Sequence, residues 1–218
     1  MRNTLNRSFN KPSAPTNEEM RNFVTAASNG DNAAVNAFLD KYPDAIDNLK
    51  PDTTYIQRET ALIDAAGNGR KDIVELLIKR GATVDFVNQA GWTALARAAA
   101  GGQAEIVDAL LKHGASINGV AENSLSGFFT PLRNAIRAFQ PEMVKLLLDR
   151  GASLESGKRE YGTALDTLQG SVNELDINVP IWKKKSKEYY LEKARQIETI
   201  LKQKTIAPKK NFNAPKAI

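Results

Sequence analysis

The chain repeats one short phrase: Thr60-Ala61-Leu62, Thr93-Ala94-Leu95, Thr130-Pro131-Leu132 and Thr163-Ala164-Leu165, with threonines 33, 37 and 33 residues apart. A second marker keeps the same beat, because Gly81-Ala82, Gly114-Ala115 and Gly151-Ala152 are separated by 33 and then 37 residues. Two unrelated markers that share a period and share the same four-residue excess define a tandem array. An array constrains the fold strongly. No single unit can bury its own apolar face, so successive units must stack, and the working surface is built from equivalent positions of neighbouring units rather than from one deep cleft.

Between the markers the apolar residues follow a helical spacing: Ile73/Val74/Leu77/Ile78, Ile106/Val107/Leu110/Leu111 and Met143/Val144/Leu147/Leu148. Each set lies on one face of a helix. Upstream sits a shorter, alanine-rich helix, with Leu62, Ala65 and Ala66, then Leu95, Ala98 and Ala99, then Leu132 and Ala135; its small side chains let neighbouring helices approach closely. Thr60, Thr93, Thr130 and Thr163 are placed to cap this helix through their hydroxyls, and Pro131 stands in a first turn that needs no N–H donor. Gly81, Gly114 and Gly151 are placed to stop the second helix in a left-handed conformation.

Read together, the stretches ETALIDAAGNGRKDIVELLIKRGATVD and WTALARAAAGGQAEIVDALLKHGASIN resemble the ankyrin repeat, with its Thr-Pro-Leu turn, two antiparallel helices and Gly-Ala stop. The chain departs from that pattern where Ala61, Ala94 and Ala164 replace the usual Pro, and where Ile63, Ala96, Arg133 and Asp166 replace the usual His. The resemblance implies an all-α solenoid of about five helix pairs joined by short turns, acting by binding and not by catalysis. Residues 18–204 form this domain, with repeats at about 18–50, 51–87, 88–120, 121–157 and 158–204. The first is degenerate, with Tyr42-Pro43 in place of Gly-Ala. The last is expanded, because Leu165 to Ile197 spans 32 residues where Leu62 to Val74 spans 12. Residues 1–17 and 205–218 are too poor in apolar side chains to offset ordering and are expected to be mobile.

Composition narrows the function classes. With no cysteine and one histidine in 218 residues, there is no disulfide framework, no thiolate metal site and no recognisable nucleophile set. No cofactor, metal or small-molecule substrate is expected. His113, in the last turn before Gly114, reads as a helix-end residue. No apolar run suits a secretory signal or a membrane span, so a cytoplasmic, monomeric protein is expected, with export as an effector acting on a host protein left open. Residues 183–218 carry eleven Lys and Arg against three Glu; they supply +8 of charge, and residues 1–182 carry −3 of the chain's net +5.

The expected partner is a protein of unknown identity. The resemblance implies that the turns and the exposed side of the first helices line its concave binding surface. The residues placed there are Tyr55, Glu59, Trp92, Arg97, Phe128, Phe129, Arg137 and Tyr161, and aromatics and arginines are the strongest anchors at interfaces. The rings either project or fold back on their own turns. Asp64 and Arg97 occupy equivalent positions in adjacent units, so an ion pair between them is expected, while Arg137 has no evident partner. The extra residues from Val120 to Phe129 form either a gripping finger or a tolerated loop insertion. The alternative surface is the basic start of the last helix, Lys183, Lys184, Lys185 and Lys187, which could meet nucleic acid or an anionic membrane. Glu188 and Glu192 interleave with these bases at helix-pair spacings, which favours a solvated cap.

Overall fold

The computed structural model describes residues 14–48, 59–120, 130–155, 162–177 and 185–206. Among them are ten α-helices and no strand, arranged as five consecutive pairs. These are α1 (Asn17–Asn29) with α2 (Asn32–Lys41), α3 (Ala61–Gly67) with α4 (Lys71–Lys79), and α5 (Ala94–Ala100) with α6 (Ala104–Lys112). They continue as α7 (Pro131–Arg137) with α8 (Pro141–Asp149), and α9 (Ala164–Ile177) with α10 (Lys187–Ile206). First helices pack on first helices and second helices on second helices along the stack. The chain's residues Tyr55, Phe128, Phe129, Tyr161, Lys183 and Lys184 lie outside the described residues, as does all but Val120 of the segment from Val120 to Phe129.

Helix boundaries follow from local chemistry. The Thr60, Thr93, Thr130 and Thr163 hydroxyls accept the N–H of Ile63, Ala96, Arg133 and Asp166 at 3.3, 3.1, 3.3 and 3.1 Å. Asp166 completes the last as a reciprocal box by accepting the Thr163 N–H at 2.6 Å. Gly81, Gly114 and Gly151 take φ of 96°, 89° and 96°. The following alanines then donate back to Leu77, Leu110 and Leu147, which closes each second helix in a Schellman turn. The first helix begins at Asn17 with Thr16 as its cap, and the last runs to Ile206, so the helical body exceeds residues 18–204 slightly at both ends.

The corner between the two helices takes a left-handed residue in each of the first four units. Gly30, Gly69 and Gly102 supply it in the first three units, with φ of 88°, 74° and 70°. In the fourth unit the residue is Phe139, with φ of 55°. Its ring is 3% exposed and packs 5.4 Å from the ring of Tyr190, at an interplanar angle of 58°. Backbone strain at Phe139 is therefore offset by a large apolar contact that ties α10 to the array.

One hydrophobic core runs the length of the stack, from Met20 to Leu201. Ala65, Ala66, Ala98, Ala99 and Ala135 are completely buried where first helices meet. The approach is close at Gly101, where a Cβ would stand 2.9 Å from the carbonyl oxygen of Gly67. Expansion of the last unit includes a lengthening of both helices: α9 has 14 residues against 7 in α7, and α10 has 20 against 9 in α8.

A side-chain ladder joins the loops beyond the second helices. Asp47 accepts the N–H of Thr83 at 3.1 Å and its hydroxyl at 2.6 Å. Asp85 accepts the N–H and hydroxyl of Ser116 at 2.9 and 2.6 Å, and Asn118 accepts the N–H of Ser153 at 2.8 Å. The donors are the residues that follow Gly-Ala in each unit.

Candidate functional site

The first-helix side of the second and third units carries the most structured group of polar side chains. Glu59 precedes the capping Thr60 and is buried, with 8% exposure. The Arg97 guanidinium, from α5, ion-pairs with Glu59 Oε1. The same guanidinium carbon lies 4.7 Å from the centre of the half-buried Trp92 ring, a cation–π distance. The Arg97 stem runs past Gly67, close enough that a Cβ there would lie in ordinary contact with it at 3.5 Å.

Arg97 was expected to meet Asp64, and it does not. Asp64 instead accepts the side-chain amide of Asn68 at 3.0 Å. The reason is solvation. Asp64 is only partly buried, whereas the Glu59 carboxyl has lost most of its water, and a buried carboxylate without a counter-charge is costly. Burial pushes the Glu59 carboxyl above its ordinary value; Arg97 pulls it back, and neighbouring Asp64 pushes in the same direction as burial. Glu59, Asp64, Gly67, Asn68, Arg97, Ala100 and Gly101 line a groove of about 390 Å³. Its glycines expose backbone where other residues would fill the space, and its side chains offer both acceptors and a fixed guanidinium.

Trp92 thus neither projects freely nor buries completely. Its N–H is held by the Asn88 side chain at 2.9 Å, and Asn88 itself is 4% exposed, so the turn that presents the ring is fixed from within. Arg137, on the last turn of α7, is half-buried and engaged in contacts of its own, against the expectation that it stands free. Its neighbour Arg133 is 5% exposed and donates to the Gly162 carbonyl at 3.0 Å, so it belongs to the framework between the fourth and fifth units. Lys185 is exposed, with its ammonium 5.8 Å from the Tyr189 ring centre, and Lys187 is half-buried at the start of α10. That helix begins at Lys187 rather than near Lys184. Among the described residues no helix is long and apolar enough to cross a membrane.

Sequence reasoning missed the acceptors Asp47, Asp85 and Asn118, although Asp85 and Asn118 recur at the array period two residues after Thr83 and Ser116. It also missed Phe139 as the left-handed corner. There the signal was the absence of a glycine at the position where the earlier units have one.

Capped helix pairs that recur with one period and share one core define an all-α repeat solenoid. The family of ankyrin repeats, in three copies, matches residues 23–121, and these residues are ankyrin repeats. The later pairs, α7 with α8 and α9 with α10, lie beyond that match and continue the same stack, so the described residues form an all-α ankyrin solenoid. Ankyrin repeats generally mediate protein–protein contact and are typically non-enzymatic. No curated protein matches the chain.

Proposed function

We propose that this chain is a non-catalytic binding module that engages a protein partner over the first helices and turns of its second to fourth units. The observation that carries the reading is the Trp92–Arg97–Glu59 assembly. An aromatic ring and a guanidinium, the two commonest anchor types, are held in one geometry by a buried carboxylate and by a braced turn. Groups fixed before binding lose little conformational freedom on binding. The groove beside them is lined by backbone and by both charge signs, which suits polypeptide better than a small apolar ligand. Close packing of first helices along the stack supports taking this side as the concave one.

The test is a partner isolated with the native chain and measured against variants. Replacing Trp92, Phe129 and Arg137 together by Ala leaves the fold intact and weakens binding at least tenfold, or about 1.4 kcal/mol. If binding survives that change and is lost when Lys183, Lys184, Lys185 and Lys187 become Gln, the basic run leading into α10 is the working surface and this reading fails.

A further inference from the structure

The Glu59–Arg97 pair is built so that a proton competes with its guanidinium. A carboxylate taken out of water persists as an ion only while a counter-charge stays on it. The Glu59 side chain is 10% exposed, and among the described residues Arg97 is the cation paired with it. Arg97 comes from the next unit and its side chain is 37% exposed, so the counter-charge sits where both water and a partner reach it. A second carboxyl group, Asp64, lines the same groove. Two carboxyls thus face one guanidinium, and the buried one gains most by taking up a proton.

Arg97 from α5 favours the ionised form of Glu59, whereas burial and Asp64 from α3 oppose it. On α1, one unit away, Glu19 is bonded to Lys41 and Tyr42, and Glu18 and Arg21 stand beside it in the first turns. The charged residues of α4, Lys71, Asp72, Glu75 and Lys79, are exposed along that second helix. Burial and the like charge together place proton uptake by Glu59 above the ordinary glutamate value. Uptake removes the ion pair. The guanidinium is then left with the Trp92 ring, 4.7 Å away, and with solvent, and a cation–π contact at an exposed site is a weak hold.

We infer, on the reading that this face meets a protein partner, that Glu59 is a proton-operated latch on the Trp92–Arg97 anchor. Ionised, it holds Arg97 over the ring in one geometry; protonated, it releases the guanidinium and the anchor loses its order. A partner that meets Trp92 and Arg97 therefore binds more tightly above the Glu59 transition than below it, because less freedom is lost on binding. By linkage the same partner, once bound, makes Glu59 harder to protonate.

The first test uses the free whole chain, so that the latch stands or falls without a partner. Trp182→Phe leaves Trp92 as the one tryptophan. Its emission and the chemical shift of the Glu59 carboxyl carbon are followed as pH falls from neutral towards the ordinary glutamate value. Both report one transition above that value, with the helical circular dichroism unchanged. Glu59→Gln removes the Trp92 transition, and Asp64→Asn moves it to lower pH by deleting the like charge. Arg58→Gln, at the residue before Glu59 in the chain, leaves it in place. A Trp92 response that survives Glu59→Gln or vanishes in Arg58→Gln overturns the inference. So does a Glu59 transition without a Trp92 response, or one that coincides with loss of helix. With the isolated partner, affinity falls at least about fivefold across the transition, the low end of ordinary coupling between sites, and stays level in Glu59→Gln. Equal affinity on both sides of an observed transition overturns the latch. Undiminished binding by the Trp92, Phe129 and Arg137 triple alanine variant overturns the binding face, and with it the regulation, even where the free chain shows its transition.

Discussion

Phe139 gives the sharpest stability test, because two small replacements at one site should rank against their usual order. The residue sits at φ 55° with 3% exposure, in the corner where Gly69 and Gly102 stand in the preceding units. Truncating a buried Phe removes its apolar contact and leaves a cavity, at a cost of about 3–5 kcal/mol. The pairing with Tyr190 accounts for roughly 0.5–1.5 kcal/mol of that beyond area alone. Phe139→Ala loses all of it and keeps the left-handed strain, which is on the order of 1–2 kcal/mol for a residue with a Cβ. Phe139→Gly loses the same side chain and releases the strain, less the roughly 0.5–1 kcal/mol of extra chain entropy that glycine gives up on folding. The glycine variant is therefore more stable than the alanine variant by about 1 kcal/mol, although both fall well below the parent. Urea melts on all three proteins measure this, with hydrogen exchange on α10 reporting whether that helix loosens first. Equal stabilities, or a more stable alanine variant, would refute the claim that Phe139 is held in a strained corner by its ring.

Leu95→Ala and Leu110→Ala each cost about 2–5 kcal/mol in denaturant melts, since both side chains are at most 1% exposed between stacked units; losses below about 1 kcal/mol for both would mean the buried faces are misassigned. Gly101→Ala places a methyl group 2.9 Å from the Gly67 carbonyl oxygen and destabilises by about 1–3 kcal/mol, while Gly114→Ala meets no atom within 4 Å and loses only the benefit of its left-handed turn. Two glutamates give opposite pH slopes. The Lys41, Thr16 and Tyr42 hydrogen bonds lower Glu19 from 4.5 to about 2, so its contribution is complete above its ordinary value and is lost as pH falls toward 2. Burial raises Glu59, so its contribution is largest below the ordinary value and declines as pH rises through the raised one. Acid titrations of Glu19→Gln and Glu59→Gln should each remove the corresponding slope, and unchanged titration curves would contradict these assignments.

Much of the fold was legible because it is written in backbone-directing residues. The Thr caps, the Gly-Ala stops and the alanine faces act locally, so their period alone places the second, third and fourth helix pairs. The fifth was readable as an expansion, and the structure shows it to be longer helices. The site was less legible. Asp64 and Arg97 are equivalent by alignment, yet the guanidinium turns to Glu59, because burial rather than register decides where a counter-charge is needed. Arg137 looked free because alignment gives the face a residue occupies and not the groups that surround it.

The loop ladder has a consequence for how such an array can change. Asp47, Asp85 and Asn118 each accept from the unit that follows, and Thr83, Ser116 and Ser153 each donate to the unit before. The first three seams thus use the same connector: a hydroxyl residue just after Gly-Ala, and a short acceptor two positions on in the preceding unit. A segment bearing both halves of that connector can be duplicated, deleted or exchanged between these seams without leaving either half unanswered. The residues around Trp92 and Arg97 take no part in it, so the proposed recognition face is free to diverge while the joints stay standard.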